Sequence, residues 1–268
     1  SNNKYSLLAF GASAFVMVIV YYCFNVIPFG DYTVLRMDLY HQYGPLFAEL
    51  YDRITQGESL VYSWNSGLGS SFLGNFSNYL ASPLAIIMLI LGHENMPEAI
   101  SLMVLLKASF ASAFFSYYLR KTTGKNDFTI AAFGVLYSFC GFFIAYYWNI
   151  MWIDAMAVFP LVMYGIEQII SNGKFRTYMF SLAFVMLSNY YMAYIVCIFS
   201  VIYFIAIYFS RYSFNEKFNV TKYIDSEGNE VRLKDKKNKI NVINILRNSR
   251  FFNSGVRFAC ASIAAACI

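Results

Sequence analysis

The stretch YSLLAFGASAFVMVIVYYCFNVI, residues 5–27, holds no charged side chain, with Lys4 just before it and Asp31 shortly after. An apolar helix of about 20 residues crosses the hydrocarbon core of a bilayer, so this run reads as a membrane span. It is too long for the apolar core of a cleaved leader and has no small-residue cleavage site, so it reads as a retained helix. The pattern repeats outward from it. Further apolar runs fall at 97–119, 128–148, 155–170, 178–190 and 194–208, and a seventh begins at Phe251. With 59% hydrophobic and 13% charged residues, 268 residues carry more apolar surface than one soluble core can bury. The expected fold is an all-α polytopic membrane protein.

The run 79–92 is different. It has Pro83 near its start and only about a dozen apolar residues, below the spanning length. Counting it as a crossing would also place Arg120, Lys121 and Lys125 outside, against the positive-inside rule. It is therefore expected at the outer interface, leaving a first outward loop over 28–96 and a cytoplasmic N-terminus. Of the 20 Lys and Arg, only Arg36 and Arg53 then lie on the outer side. The chain is expected to divide into a transmembrane part (1–212), a basic cytoplasmic loop with a small hairpin turning at 227–229 (213–250), and the start of another helix (251–268) at which the chain is truncated. The basic loop suits anionic lipid better than nucleic acid. Cys23, Cys140, Cys197, Cys260 and Cys267 lie in apolar runs without metal-ligand spacing, and read as buried, inert thiols.

Within the outward loop, residues 36–55 show helical periodicity. Leu39, Tyr43, Leu46, Phe47, Leu50 and Ile54 share one face, and Asp38, His41, Gln42, Glu49 and Asp52 the opposite one. A helix on a membrane surface, apolar side in lipid, would look like this. Pro45 should bend it, since it cannot donate to the His41 carbonyl. Asp38, His41 and Gln42 form either the wet face of that helix or a carboxylate–imidazole patch able to act as a general base. Trp64, Asn65 and Tyr79 combine aromatic faces with amides, which suits a sugar ring and equally suits an interfacial aromatic belt. Lys107, inside its crossing, is either a phosphate ligand or a structural partner for a carboxylate. Asp154 is either a wall of the same cavity or a helix cap.

The order Asp38-Leu39-Tyr40-His41-Gln42-Tyr43, then Tyr62-Ser63-Trp64-Asn65 with Gly67 and Gly69, then Tyr79-Leu80-Ala81-Ser82-Pro83-Leu84, then Leu106-Lys107, resembles the YfhO family of bacterial membrane proteins. The resemblance extends over essentially the whole chain. It implies a GT-C-like helix bundle with interfacial helices in the first outward loop, and a sugar donor carried on polyprenyl phosphate. The implied acceptor is a cell-envelope polymer such as teichoic or lipoteichoic acid. The implied catalytic acid is Asp38, with Asp31 as the fallback; His41 and Gln42 would orient it or bind donor, while Trp64, Asn65, Tyr79, Lys107 and Asp154 would line the substrate site. Direct displacement would make the enzyme inverting. Asp31, Asp38 and Asp154 are the acids that could meet around a divalent metal, Mg²⁺ or Mn²⁺, although no spacing motif requires one. The rival classes are a transporter or lipid flippase and a non-catalytic envelope-assembly scaffold. No phosphate-cradling or dinucleotide fingerprint is present.

Overall fold

The computed structural model of the protein describes residues 3–211, 223–224, 230–231 and 250–268. Five of its helical segments are long and apolar enough to cross a membrane: Lys4–Cys23, His93–Thr123, Phe128–Tyr146, Ile150–Asn172 and Tyr190–Ser210. The chain is thus a multi-pass, all-α membrane protein. One expected span departs from this: the Arg176–Ser188 helix has 13 residues, about 20 Å of rise against a hydrocarbon core of about 30 Å. The Arg250–Ala266 helix lies where a further helix is expected to start and carries a second arginine, Arg257, inside it.

Helices are numbered here in chain order: α1 (Lys4–Cys23), α2 (Gly44–Gln56), α3 (Phe72–Asn75), α4 (Ile86–Leu91), α5 (Met96–Thr123), α6 (Phe128–Ser138), α7 (Gly141–Tyr146), α8 (Ile150–Asn172), α9 (Arg176–Ser188), α10 (Tyr190–Arg211) and α11 (Arg250–Ala266). Two short antiparallel pairs complete the described elements, β1 (Tyr62–Ser63) with β2 (Ser70–Ser71) and β3 (Tyr223–Ile224) with β4 (Glu230–Val231). The second pair falls in the expected cytoplasmic hairpin, whose turn at 227–229 lies outside the described residues, as does most of 213–250. The chain forms two compact units, one of Ser1–Leu161 with Ala183–Ile195 and one of Val162–Leu182 with Val196–Ile268.

In the first unit, α1, α5 and α6 pack through small residues. Without a hydrophobic drive between helices in lipid, close backbone approach and hydroxyl hydrogen bonds supply the association. Ser13 and Ser138 hydroxyls lie 3.0 Å apart, Ser112 donates to the Ala9 carbonyl at 3.1 Å, and Ser116 donates to the Ile130 carbonyl at 3.0 Å. Gly134 makes this approach possible, because a Cβ there would strike the Ser116 hydroxyl and come within 2.6 Å of the Ser112 carbonyl. Gly134→Val should therefore cost about 1–3 kcal/mol by overpacking, read as a lower unfolding temperature in detergent. Leu7, Phe15, Phe133 and Leu136 on the other faces are exposed, as a lipid-facing surface requires. Pro160 denies the Met156 carbonyl its helical donor; the Tyr137 hydroxyl supplies a replacement at 2.8 Å. In the second unit, Tyr178 stacks on Phe258 and its hydroxyl lies 2.9 Å from that of Ser262, joining α9 to α11.

Local chemistry shifts three expected features. The first helix stops at Cys23, not Ile27, because Asn25 takes a left-handed φ of 50° and the chain folds back so that Val26 bonds to the Tyr21 carbonyl. Most of the apolar face of 39–54 is buried in protein, not lipid: Leu39, Tyr43, Phe47 and Leu50 join one core with residues of α1, α5 and α8, Leu46 packs against it half-buried and Ile54 is exposed. Cys23 on α1, Cys260 on α11 and Cys267 just past it are exposed, not buried, and all five cysteines are free.

The run 79–92, expected at the interface, straddles the break between two short helical stretches, Phe72–Leu80 and Pro83–Leu91, bent by 104°. The bend follows from Pro83, which pushes Ser82 to an extended conformation (φ −70°, ψ 129°) and stops the first stretch.

Candidate functional site

The segment between α1 and α5 folds onto one end of the first unit. Met37 sits at φ 49°, a left-handed conformation costing a non-glycine residue about 1–2 kcal/mol, and directly precedes Asp38. A π-helical turn, Leu39–Tyr43, follows, closed by the Gly44 amide on the Leu39 carbonyl. This wider turn takes up the break that Pro45 imposes before α2 begins. It also alters the helical phase. His41, Gln42, Glu49 and Asp52 line one basin, together with Asn65 and Asn75, whereas Asp38 stands outside it on an exposed ledge.

The basin has a volume of about 650 Å³. Its wall combines carboxylate, imidazole, amide and hydroxyl groups with the apolar Pro45, Leu46 and Ala48, a mixed lining that suits the polar edge and apolar face of a hydroxyl-rich ring. The opposite wall is the β1–β2 hairpin, held by Arg53. That guanidinium is buried, donates to Glu49 Oε1 at 2.9 Å, to the Tyr62 carbonyl at 3.1 Å and to the Ser59 carbonyl, and lies over the Phe72 ring at 4.7 Å. Ser63 donates to the same Glu49 oxygen. Arg53 is therefore a clamp, not the solvated interfacial charge its place in the loop suggests. Lysine cannot reproduce this fork of donors. Arg53→Lys should loosen the hairpin, seen as faster protease cleavage within residues 57–70. At the basin's rim, His93 Nδ1 meets Asp52 Oδ1 at 3.0 Å, tying α2 to the turn before α5.

Behind Asp38 the polar groups continue inward. The Tyr43 hydroxyl donates to Asn149 Oδ1 at 3.0 Å, and its ring stacks on Tyr79 at 5.2 Å. Burial pushes the Tyr43 phenol up to about 12, with the Asp38 carboxylate as a further cause. Tyr43 thus ties the turn that follows Asp38 to Asn149, the residue just before α8. Periodicity alone assigns Tyr43 to the apolar face; its hydroxyl was the missed signal.

Lys107 and Asp154 do not line the basin. They form a buried ion pair at 2.8 Å; Lys107 also donates to the Ile150 carbonyl at 2.8 Å, and Ser82 donates to Asp154 at 3.2 Å. The bend between the two short stretches is thereby fastened to α5 and α8. Of the two readings of Lys107, this geometry is that of the structural partner. Asn189, between α9 and α10, donates to the Asn78 carbonyl at 2.9 Å and caps Met192 N, so it too steadies this segment. Trp64 is exposed beside Tyr62, at 5.0 Å between ring centres, and Asp31 lies on the exposed turn after Gly30. Asp31, Asp38 and Asp154 do not assemble, and among the described residues no three His, Cys, Asp or Glu side chains form a metal-holding group.

A second cavity, apolar and of about 360 Å³, lies beside the end of α1, lined by Val16, Val20, Phe24, Val34, Phe143 and Tyr147 among others. Thr33 and Val34 carry its lining to within a few residues of Asp38.

No curated protein and no solved structure matches the chain. A family model described as bacterial membrane protein YfhO matches residues 9–226, most of its length and all of the segment that builds the basin, the ledge and the buried ion pair. The chain belongs to the YfhO family of bacterial membrane proteins.

Proposed function

We propose that this chain builds the donor and acceptor sites of a GT-C type glycosyltransferase, which moves a sugar from polyprenyl phosphate to a cell-envelope acceptor such as teichoic or lipoteichoic acid. The observation that carries the reading is the place of Asp38. It is an exposed carboxylate with an apolar groove lined by Thr33 and Val34 on one side in the chain and a polar basin lined by His41 and Gln42 on the other. A lipid-linked sugar needs both surfaces and a base between them.

In this reading the prenyl tail occupies the groove, and Arg36, exposed two residues before Asp38, meets the lipid phosphate. The acceptor's hydroxyl-rich body lies in the basin, against His41, Gln42, Asn65 and Asn75, with Trp64 offering a ring face. Asp38 takes the proton of the acceptor hydroxyl. The freed oxygen bonds to the anomeric carbon from the side opposite the phosphate, the carbon–oxygen bond to phosphate breaks, and the carbon inverts. Tyr43 and Tyr79 hold the ledge, while Lys107 and Asp154 support it from inside the bundle.

The observation favouring a transporter or flippase is the buried Lys107–Asp154 pair, since intramembrane charges often mark transport paths. Here each partner is closed off by a further bond, to Ile150 or Ser82, so the pair is a fastening. The readings separate in membranes carrying radiolabelled lipid-linked sugar. Transfer predicts label moving from the lipid-extractable to the polymer fraction in wild-type but not deletion membranes. Label that crosses the membrane yet stays on lipid supports the flippase.

A further inference from the structure

The β1–β2 hairpin presents an unusual tip. Ser66 to Gly69 close a tight turn, with the Gly69 amide on the Ser66 carbonyl at 3.0 Å and positive φ at Gly67 and Gly69 (61° and 106°). The Tyr62 hydroxyl occupies the space a Gly69 side chain would need, so the turn is built around glycine. Between the two glycines stands Leu68, 98% exposed, with Trp64 at 75% and Val61 and Leu73 also open. This is a contiguous apolar patch on a loop whose base Arg53 holds rigidly.

We propose that this tip is a membrane-interface anchor, which dips Leu68 and Trp64 into the headgroup and upper acyl region on the side of the first loop. Three observations choose the bilayer as the occupant. Residues 59–92 contain no Asp, Glu, Lys, Arg or His, so nothing charged must be dehydrated when the hairpin and the bent pair after it meet lipid. Leu73, Ile86 and Ile90 of the bent pair that follows the hairpin are exposed as well, side chains of the kind that lipid covers. Trp and Tyr beside Leu and Val form the composition favoured at the interface, where amphipathic rings sit at headgroup level. Asn65, Ser66 and Ser70 of the same hairpin line the basin. An anchored tip therefore holds the basin's mouth at the membrane surface, where a lipid-borne substrate arrives.

The test uses full-length protein with its native cysteines replaced by alanine, reconstituted in phosphatidylethanolamine and phosphatidylglycerol vesicles. An environment-sensitive fluorophore is placed at Leu68→Cys and, as a water-facing reference, at Gln56→Cys. Both sites are exposed, so neither label opposes folding. The expected result is blue-shifted emission at position 68, loss of that emission to shallow lipid nitroxides, and protection from aqueous iodide; position 56 shows the reverse. Emission at position 68 that matches position 56 and is quenched by iodide overturns the proposal. So does protection from both quenchers, which would mean that protein, not lipid, covers the tip. Neither outcome depends on whether Asp38 is catalytic.

Discussion

Lys107→Met should destabilise the full-length protein by about 3–5 kcal/mol, the cost of leaving a buried carboxylate without its partner. Asp154 is 4% exposed and keeps only the Ser82 hydroxyl in that variant. The double variant Lys107→Met with Asp154→Leu should recover most of the loss, because exchanging both charges for apolar groups removes the desolvation cost together with the attraction. Unfolding temperature in detergent, read by the monodisperse fraction after heating, gives both numbers. Activity then separates two roles. A double variant that is stable and active leaves the pair a fastening for the Ser82 bend; one that is stable and inactive gives Lys107 a part in substrate binding after all.

Asp38→Asn should lower transfer by about 10²–10⁴-fold, the range that a positioned general base supplies. It should leave folding within about 0.5 kcal/mol of wild type, since Asp38 is exposed and outside the core. Asp31→Asn, at a residue that lines neither cavity, should retain activity. Tyr43→Phe should fall between them. It breaks the link between the ledge and Asn149 while leaving the Tyr79 stack in place.

Much of the fold is legible in the sequence because lipid imposes a simple rule. A long, mainly apolar run is expected to span, and the 5–27, 97–119, 128–148, 155–170 and 194–208 runs all correspond to helical segments long and apolar enough to do so. What escapes the rule is chemistry at the ends of runs. Asn25 ends α1 four residues early, and Asn189 begins α10 within a stretch that hydropathy divides differently. Periodicity in 39–54 reveals two faces but not what covers the apolar one, since a protein core and lipid tails look alike to a hydropathy pattern.

The site was partly legible for the same reason. A face of His41, Gln42, Glu49 and Asp52 follows from spacing, and the structure gathers those four around the basin. Asp38 leaves that face because the π-turn changes the phase, and a regular helical wheel has no place for an extra residue. Glu49 and Arg53 stand four apart, so their pairing could be read locally. The reach of Arg53 to Ser59 and Tyr62, and of Lys107 to Asp154 forty-seven positions away, could not. The residues of 62–71 read equally as sugar platform or aromatic belt; their antiparallel pairing joins a basin wall to an exposed apolar tip.

In the proposed function Asp38 is the base for sugar transfer. The most direct test is the sugar-to-phosphate ratio of envelope polymers from a deletion strain carrying full-length wild type, Asp38→Asn or an empty vector. The expected result is a ratio restored by wild type and left at the empty-vector level by Asp38→Asn, with both proteins equally abundant in the membrane. A ratio that Asp38→Asn restores fully, or that the deletion never lowers, contradicts the account.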